Sequence, residues 1–349
     1  MRLVACLAVL VAVAVTSAAS ADESEPPPLG TVPLTAPTGL RLLIPDLSPA
    51  LFDVDAERLT RVGGIDLKRA RSVSTARVGR DAVLLVEKPR GGVLSQDIYV
   101  LRRDATKAVR VASGAQLAPA QGGNAFWLKT YRSRNRCVLR RLTLAGRETR
   151  APQPMSCSAS VFDAGGRALV VRGAVARDPA NSRVVVRMPW SLVDRPPLWK
   201  IAGKVALAKG RSHRPIPLVD LLTGASDEVP WPSPQDLLDE AAVHPSGELI
   251  AVGFADAIVD GPASQVIDVW LLDVRTRTFS HLPDLPAGVN IKVTSMRWTD
   301  DGRLAWLANT YGRTVVADWR PGDAHIAVRD LPLLQRQGGL PGSFVVWSR

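Results

Sequence analysis

From residue 39 onward, apolar residues come in runs of four or five, each following a turn residue, and no long stretch carries the 3.6-residue period of an amphipathic helix. The turn markers are Gly39, Arg80, Gly123, Gly166, Gly203, Gly247 and Gly302, at intervals of 41, 43, 43, 37, 44 and 55 residues. Behind them lie Leu40 to Ile44, Ala82 to Val86, Ala125 to Leu128, Ala168 to Val171, Val205 to Ala208, Leu249 to Val252 and Leu304 to Leu307. Each run is too short for a globular helix and is bounded by turn formers, so each reads as a β-strand. A repeat of ~40 to 45 residues fits one four-stranded unit of a radial array.

A further strand ending in aspartate follows in most units: Ala50-Leu51-Phe52-Asp53, Pro217-Leu218-Val219-Asp220, Trp270-Leu271-Leu272-Asp273 and Val315-Val316-Ala317-Asp318. These aspartates read as turn formers, because a carboxylate just past a strand accepts hydrogen bonds from the turn amides. Trp199 and Trp298 hold equivalent repeat positions and read as packing residues between adjacent sheets. The first unit lacks an innermost strand before Gly39, while Ser343-Phe344-Val345-Val346-Trp347 follows the seventh unit with nothing after it to pair with. Pairing this strand with Leu40 to Ile44 completes the first unit and removes an exposed sheet edge. The expected fold is therefore all-β, a seven-bladed β-propeller closed by its C-terminal strand. Unit four lacks the Asp-ended strand, which leaves six blades as the alternative.

The turns His244-Pro245-Ser246-Gly247-Glu248-Leu249 and Thr299-Asp300-Asp301-Gly302-Arg303-Leu304 resemble those of TolB-like and related WD-type propellers, in which an apolar-x-Pro-Asp-Gly-x-apolar segment recurs once per blade. Gly123 and Gly166 keep only the glycine, and motif agreement is concentrated from Gly203 onward. The resemblance implies a fold and a tendency to bind partners, with no inherited active-site residue.

The first 21 residues have a charged start at Arg2, an apolar stretch from Leu3 to Val15 and an Ala-x-Ala exit, which is the layout of a secretory signal cleaved after Ala21. Thirteen apolar residues fall short of a spanning helix, so no transmembrane segment is expected in the mature chain. Residues 22–38, with Pro26-Pro27-Pro28, Pro33 and Pro37, read as an extended tether before a single propeller domain over 39–349. Removing Cys6 with the signal leaves Cys137 and Cys157, which in an oxidising compartment are expected to form one bridge.

The formal charge of +11 favours anionic partners. Only eight of the 44 basic residues are lysine, so part of the excess is accounted for by GC-rich coding. In a four-stranded meander, the loops between second and third strands emerge on the same face as the blade-to-blade connections. That rule gathers Lys88, Arg90, Arg132, Arg134, Arg136, Arg211, His213 and Arg214 on one rim, with Asp256 and Asp260 across the ring. Arginine suits carboxylate or phosphate because its planar fork donates two parallel hydrogen bonds.

Enzyme signatures are weak. His213, His244, His281 and His325 are scattered without metal-ligand spacing, and neither a Gly-x-Ser-x-Gly elbow nor sialidase-type boxes occur. No metal or cofactor is expected. The expectation is a secreted, monomeric, noncatalytic binding or scaffold propeller at a bacterial cell envelope. Its partner is a protein or an anionic polymer rather than nucleic acid. The alternative is a hydrolase or lyase working on an extracellular glycan in the central funnel, for which Asp256 and Asp260 are a candidate carboxylate pair.

Overall fold

The computed structural model describes residues 32–46, 48–90, 93–133, 136–173, 175–187, 200–208, 212–255, 267–283, 291–310, 313–335 and 344–348. The presumed signal, Arg134, Trp199, Arg211, Asp256 and Asp260 lie outside them. Seven antiparallel sheets stand in a ring, six of four strands and one of five, and the one short helix among the described residues is Pro332–Gln335. The fold is a seven-bladed β-propeller.

Every apolar run expected to follow a marker is the second strand of a blade: Leu40–Ile44, Asp81–Arg90, Ala125–Ser133, Ala168–Arg172, Val205–Leu207, Leu249–Ala255 and Leu304–Thr310. The marker turns need left-handed backbone, which glycine adopts without penalty. In blade two that position is Gly79, at φ +61°, one residue before the arginine chosen from the sequence. A Cβ on Gly79 would also come within 2.0 Å of the carbonyl oxygen of Gly123 in blade three, so two glycines are needed where these turns touch. Unit four is a full blade of Ser160–Asp163, Ala168–Arg172, Val175–Arg177 and Val184–Arg187, and its third strand is simply short.

The ring closes on the C-terminal strand. Val345–Ser348 is the innermost strand of blade one and pairs antiparallel with Leu40–Ile44, placing Leu42 opposite Val346 and Leu43 opposite Val345. On the outer edge of blade seven, Val32–Pro33 adds a fifth strand parallel to Ala327–Asp330. The last residues of the Pro-rich stretch thus lie against the ring, where Arg329 donates to the carbonyls of Leu34 and Ala36 and Arg303 to that of Thr38.

Seven apolar layers hold the blades, one at each seam. Alternation along a strand feeds two layers at once: Leu40, Leu42 and Ile44 pack toward blade seven, whereas Leu43 packs toward blade two. Both faces are buried, which is why these strands read as continuous apolar runs. The seam between blades three and four is the thinnest in side-chain bulk, with Ala118, Ala120, Ala125 and Ala168 among its seven buried residues. A disulfide joins Cys137, in the third strand of blade three, to Cys157 in the connection from blade three to blade four.

Trp298 is buried and its indole donates to the carbonyl of Ala242 in the neighbouring blade at 2.9 Å, a packing role as expected. Of the strand-terminal aspartates, Asp220 accepts from the amides of Leu222 and Thr223, and Asp273 from those of Arg275 and Thr276. Asp318 departs from this pattern. It is buried and pairs with Arg303 at 2.7 Å instead of capping a turn, and burial pushes its carboxyl above the ordinary range against that pairing.

Candidate functional site

Three features of the ring gather polar chemistry: the face bearing the disulfide, the central channel, and a cleft on the opposite face.

On the disulfide face, the hairpin joining the second and third strands of blade three, Ala125–Ser133 and Arg136–Thr143, carries Arg132 and Arg136 at its tip. Both are exposed and neither is ion-paired with a described residue. Tyr131 beside them is 43% exposed, large for an aromatic side chain. The base of the hairpin is held firmly. Cys137 is bridged to Cys157, and Lys129 sends its buried ammonium to the carbonyls of Cys157 and Ala159 at 2.8 and 2.7 Å. Burial draws the Lys129 ammonium below its ordinary range. Its ammonium also lies 5.6 Å from the centre of the Tyr131 ring, a cation–π distance.

Of the other expected rim residues, Arg134 and Arg211 lie outside the described residues. Lys88 lies inside the strand Asp81–Arg90, 7% exposed, with its ammonium on Asp66 at 2.6 Å and Asp97 at 3.5 Å. Burial opposes that charge, but Asp66, Tyr99 and Asp97 outweigh it and hold the ammonium above the usual lysine range. Lys88 is a structural cation because the hairpin runs on as strand where a loop was expected. Arg90 ends the same strand. His213 and Arg214 are exposed two blades away, and His213 is committed to Asp236 at 2.6 Å. Among the described residues, Arg132 and Arg136 stand together at the blade-three tip, while Lys88 and His213 are engaged by carboxylates of their own blades or connections.

The central channel has a volume of about 470 Å³ and is walled by the innermost strands. Lys200 of blade five, Glu240 of blade six and Arg297 of blade seven meet there with Asp163, Arg77 and Asp300. Glu240 is fully engaged: one carboxylate oxygen accepts from Arg297 at 2.8 Å and the other from the amide of Met296 at 3.0 Å. Burial nonetheless pushes its carboxyl above the ordinary range, against the pull of Arg297 and Lys200. Arg77 reaches Asp300 and donates to the carbonyls of Trp298 and Val346. The Lys200 side chain makes no hydrogen bond or ion pair with a described residue. Burial, with Arg297 nearby, lowers its proton affinity against the weaker pull of Asp163 and Glu240.

The opposite face holds a cleft of about 610 Å³ lined by Arg41, Arg80, Arg102, Arg103, Asp81 and Asp104, with Trp347 and Ser348 of the closing strand. The sequence reading missed it. Its arginines come from two blades and are separated by up to 62 residues in the chain; the Arg102-Arg103 pair in a turn was the one local signal. Among the described residues no cluster of His, Cys, Asp or Glu suits a metal ion, and no helix is long and apolar enough to cross a membrane.

No family model and no curated protein matches the chain in sequence. Solved structures match it in shape. A protein from Lactobacillus plantarum superposes with a TM-score of 0.53 at 10% identity, covering 88% of this chain and 98% of that one. The β-propeller domain of the Trilobed protease from Pyrococcus furiosus, described as having an open velcro topology, gives 0.52 at 8% identity over 81% and 86%. TolB from Acinetobacter baumannii gives 0.44 at 11% over 88% and 65%. The chain spans about half (47%) of the length of puromycin hydrolase, which it also resembles at 12% identity, TM-score 0.46 and 78% coverage of its own length. At these identities the likeness is one of fold. The propeller fold suggested by the turn motifs is thus shared with solved structures, and the ring here is latched by its C-terminal strand.

Proposed function

We propose that the chain is an extracytoplasmic, noncatalytic binding propeller, with a signal over residues 1–21, that engages an anionic polymer of the cell envelope through the tip of the blade-three hairpin. The observation that carries this reading is the combination there of Arg132 and Arg136, exposed and without an ionic partner among the described residues, with exposed Tyr131 beside them, on a base fixed by the disulfide and Lys129. Guanidinium groups held ready lose little freedom on meeting a carboxylate or phosphate, and an adjacent tyrosine adds rigid contact area. The bridge itself favours an oxidising compartment.

A glycan hydrolase needs two carboxyls free to serve as acid and base, and Glu240 in the channel is not one of them, since its two oxygens accept from Arg297 and from the amide of Met296. An acidic protein at the envelope is the competing partner, and the same experiment separates the two. Binding of immobilised acidic wall polymer and of an acidic peptide is measured against salt for wild type and for Arg132→Ser with Arg136→Ser. The reading expects polymer binding that weakens with salt and falls about tenfold in the double variant, at roughly 0.7 kcal/mol per lost charge contact. Unchanged or salt-independent binding overturns it, and preference for the peptide replaces the polymer with a protein.

A further inference from the structure

We propose that Lys200, in the central channel, is a site of covalent attachment for a small uncharged carbonyl compound of the hydroxyaldehyde type, which its side-chain amine holds as an imine. The site does not depend on the function proposed above.

Lys200 opens the innermost strand of blade five, Lys200–Ala202, and lines the channel of about 470 Å³. Asp163 ends the innermost strand of blade four, Glu240 lies in that of blade six and Arg297 in that of blade seven, so the amine stands where four blades converge. The carboxylates nearby are turned to other partners. Glu240 is held by Arg297 and the amide of Met296, and one oxygen of Asp163 accepts from the amides of Gly165 and Gly166 at 3.1 and 2.7 Å. The Lys200 side chain is left without a hydrogen bond or ion pair to a described residue. The two other lysines withdrawn from solvent differ in this respect: Lys88 is paired with Asp66 and Asp97, and Lys129 donates to two carbonyls. Lys68, Lys107 and Lys204 are exposed.

An amine attacks through its lone pair, and a lysine kept from water beside another cation is the arrangement that frees it. Arg297 is that cation here, and burial acts in the same direction. In the step itself, the Nζ lone pair adds to the carbonyl carbon while the C=O π pair moves to oxygen, which gains the proton that nitrogen sheds. The resulting carbinolamine loses its hydroxyl as water when the C=N bond forms. One amine and one aldehyde thus give one imine and one water, with no oxidant or reductant.

The channel also discriminates by charge. Once the amine is neutral, Arg77 and Arg297 are outnumbered by Asp163, Asp239, Glu240 and Asp300. That excess opposes a keto acid or a sugar phosphate, whereas an uncharged carbonyl compound enters without it. The same polar walls offer donors and acceptors to its hydroxyl groups.

The test treats the full chain with limiting glycolaldehyde, or with glyoxylate as an anion of similar size, traps imines with cyanoborohydride and maps the modified lysines by peptide mass spectrometry. At pH 7 glycolaldehyde should label Lys200 about tenfold faster than exposed Lys204, and the advantage over Nα-acetyllysine in the same solution should narrow as pH rises toward 9. Glyoxylate, scaled to its rate at Lys204, should lag at Lys200. Lys200→Arg keeps the charge but forms no imine, so it should lose this fast modification and leave labelling of Lys204 as in wild type. In the urea-unfolded chain, Lys200 and Lys204 should label alike, which shows that the fold supplies the reactivity. Arg132→Ser with Arg136→Ser should label as wild type does, whatever becomes of polymer binding. Labelling of Lys200 no faster than Lys204, a rate advantage that survives unfolding, or glyoxylate reacting at Lys200 as readily as glycolaldehyde overturns the proposal.

Discussion

Replacing Trp347 by alanine probes the closure of the ring at its most heavily loaded residue. The side chain is 1% exposed, packs with Leu43, Leu51, Leu84 and Tyr99 at the seam of blades one and two, and donates one half-buried hydrogen bond to the carbonyl of Arg80. Truncating a buried tryptophan to alanine costs about 3–5 kcal/mol. Leaving the Arg80 carbonyl without its donor adds about 1 kcal/mol. With an unfolding entropy near 0.6 kcal/mol/K for a domain of about 300 residues, the sum lowers the melting temperature by roughly 6–10 °C. Differential scanning calorimetry gives the shift. Hydrogen exchange at the amides of Leu40–Ile44 reports whether the loss is felt at the latch, and Tyr131→Ala, exposed on the hairpin, is the control that should move the transition by no more than about a degree. Melting of Trp347→Ala within a degree of wild type, or undiminished protection at Leu40–Ile44, would refute the reasoning.

Two further outcomes follow from single residues. Reducing the Cys137–Cys157 bridge, or replacing both cysteines by serine, should lower stability by about 3 kcal/mol, the loop-closure value for a separation of 20 residues, and chemical denaturation under oxidising and reducing conditions measures it. Lys200 gives up its proton more readily in the folded ring than in the unfolded chain, where its value is ordinary at 10.5. Stability should therefore rise as pH climbs through the interval below that value, and Lys200→Met should flatten this slope. Stability curves for the two proteins that stay parallel between pH 7 and 10 would contradict it.

The architecture was legible because it is written locally. Each second strand is preceded by a turn that glycine serves best and is apolar on both faces, so runs such as Leu40 to Ile44 could be located to the residue. The latch could be read from a mismatch at the chain ends. Where the reading slipped, the cause was nonlocal. Arg80 fits the repeat spacing, but the left-handed turn belongs to Gly79 beside it, and the close approach of Gly123 requires glycine there. Lys88 looks like a loop cation until Asp66, twenty-two residues earlier, is seen against its ammonium. Asp318 looks like Asp220 and Asp273 until Arg303 claims it. The arginine cleft was out of reach for the same reason, being assembled from segments that become neighbours only when blade one is completed from the far end of the chain.

The seam between blades seven and one joins the two ends of the domain, and the segment at residues 32–38 alters how it would bear tension. This segment touches the ring through a two-residue parallel pair and the arginines Arg303 and Arg329, while Arg329 also reaches Asp55 across the seam at 3.0 Å. Traction applied ahead of Val32 is therefore met first by a short, polar attachment at the periphery. That attachment stands between such a pull and Leu40–Ile44, the strand to which the closing strand is paired.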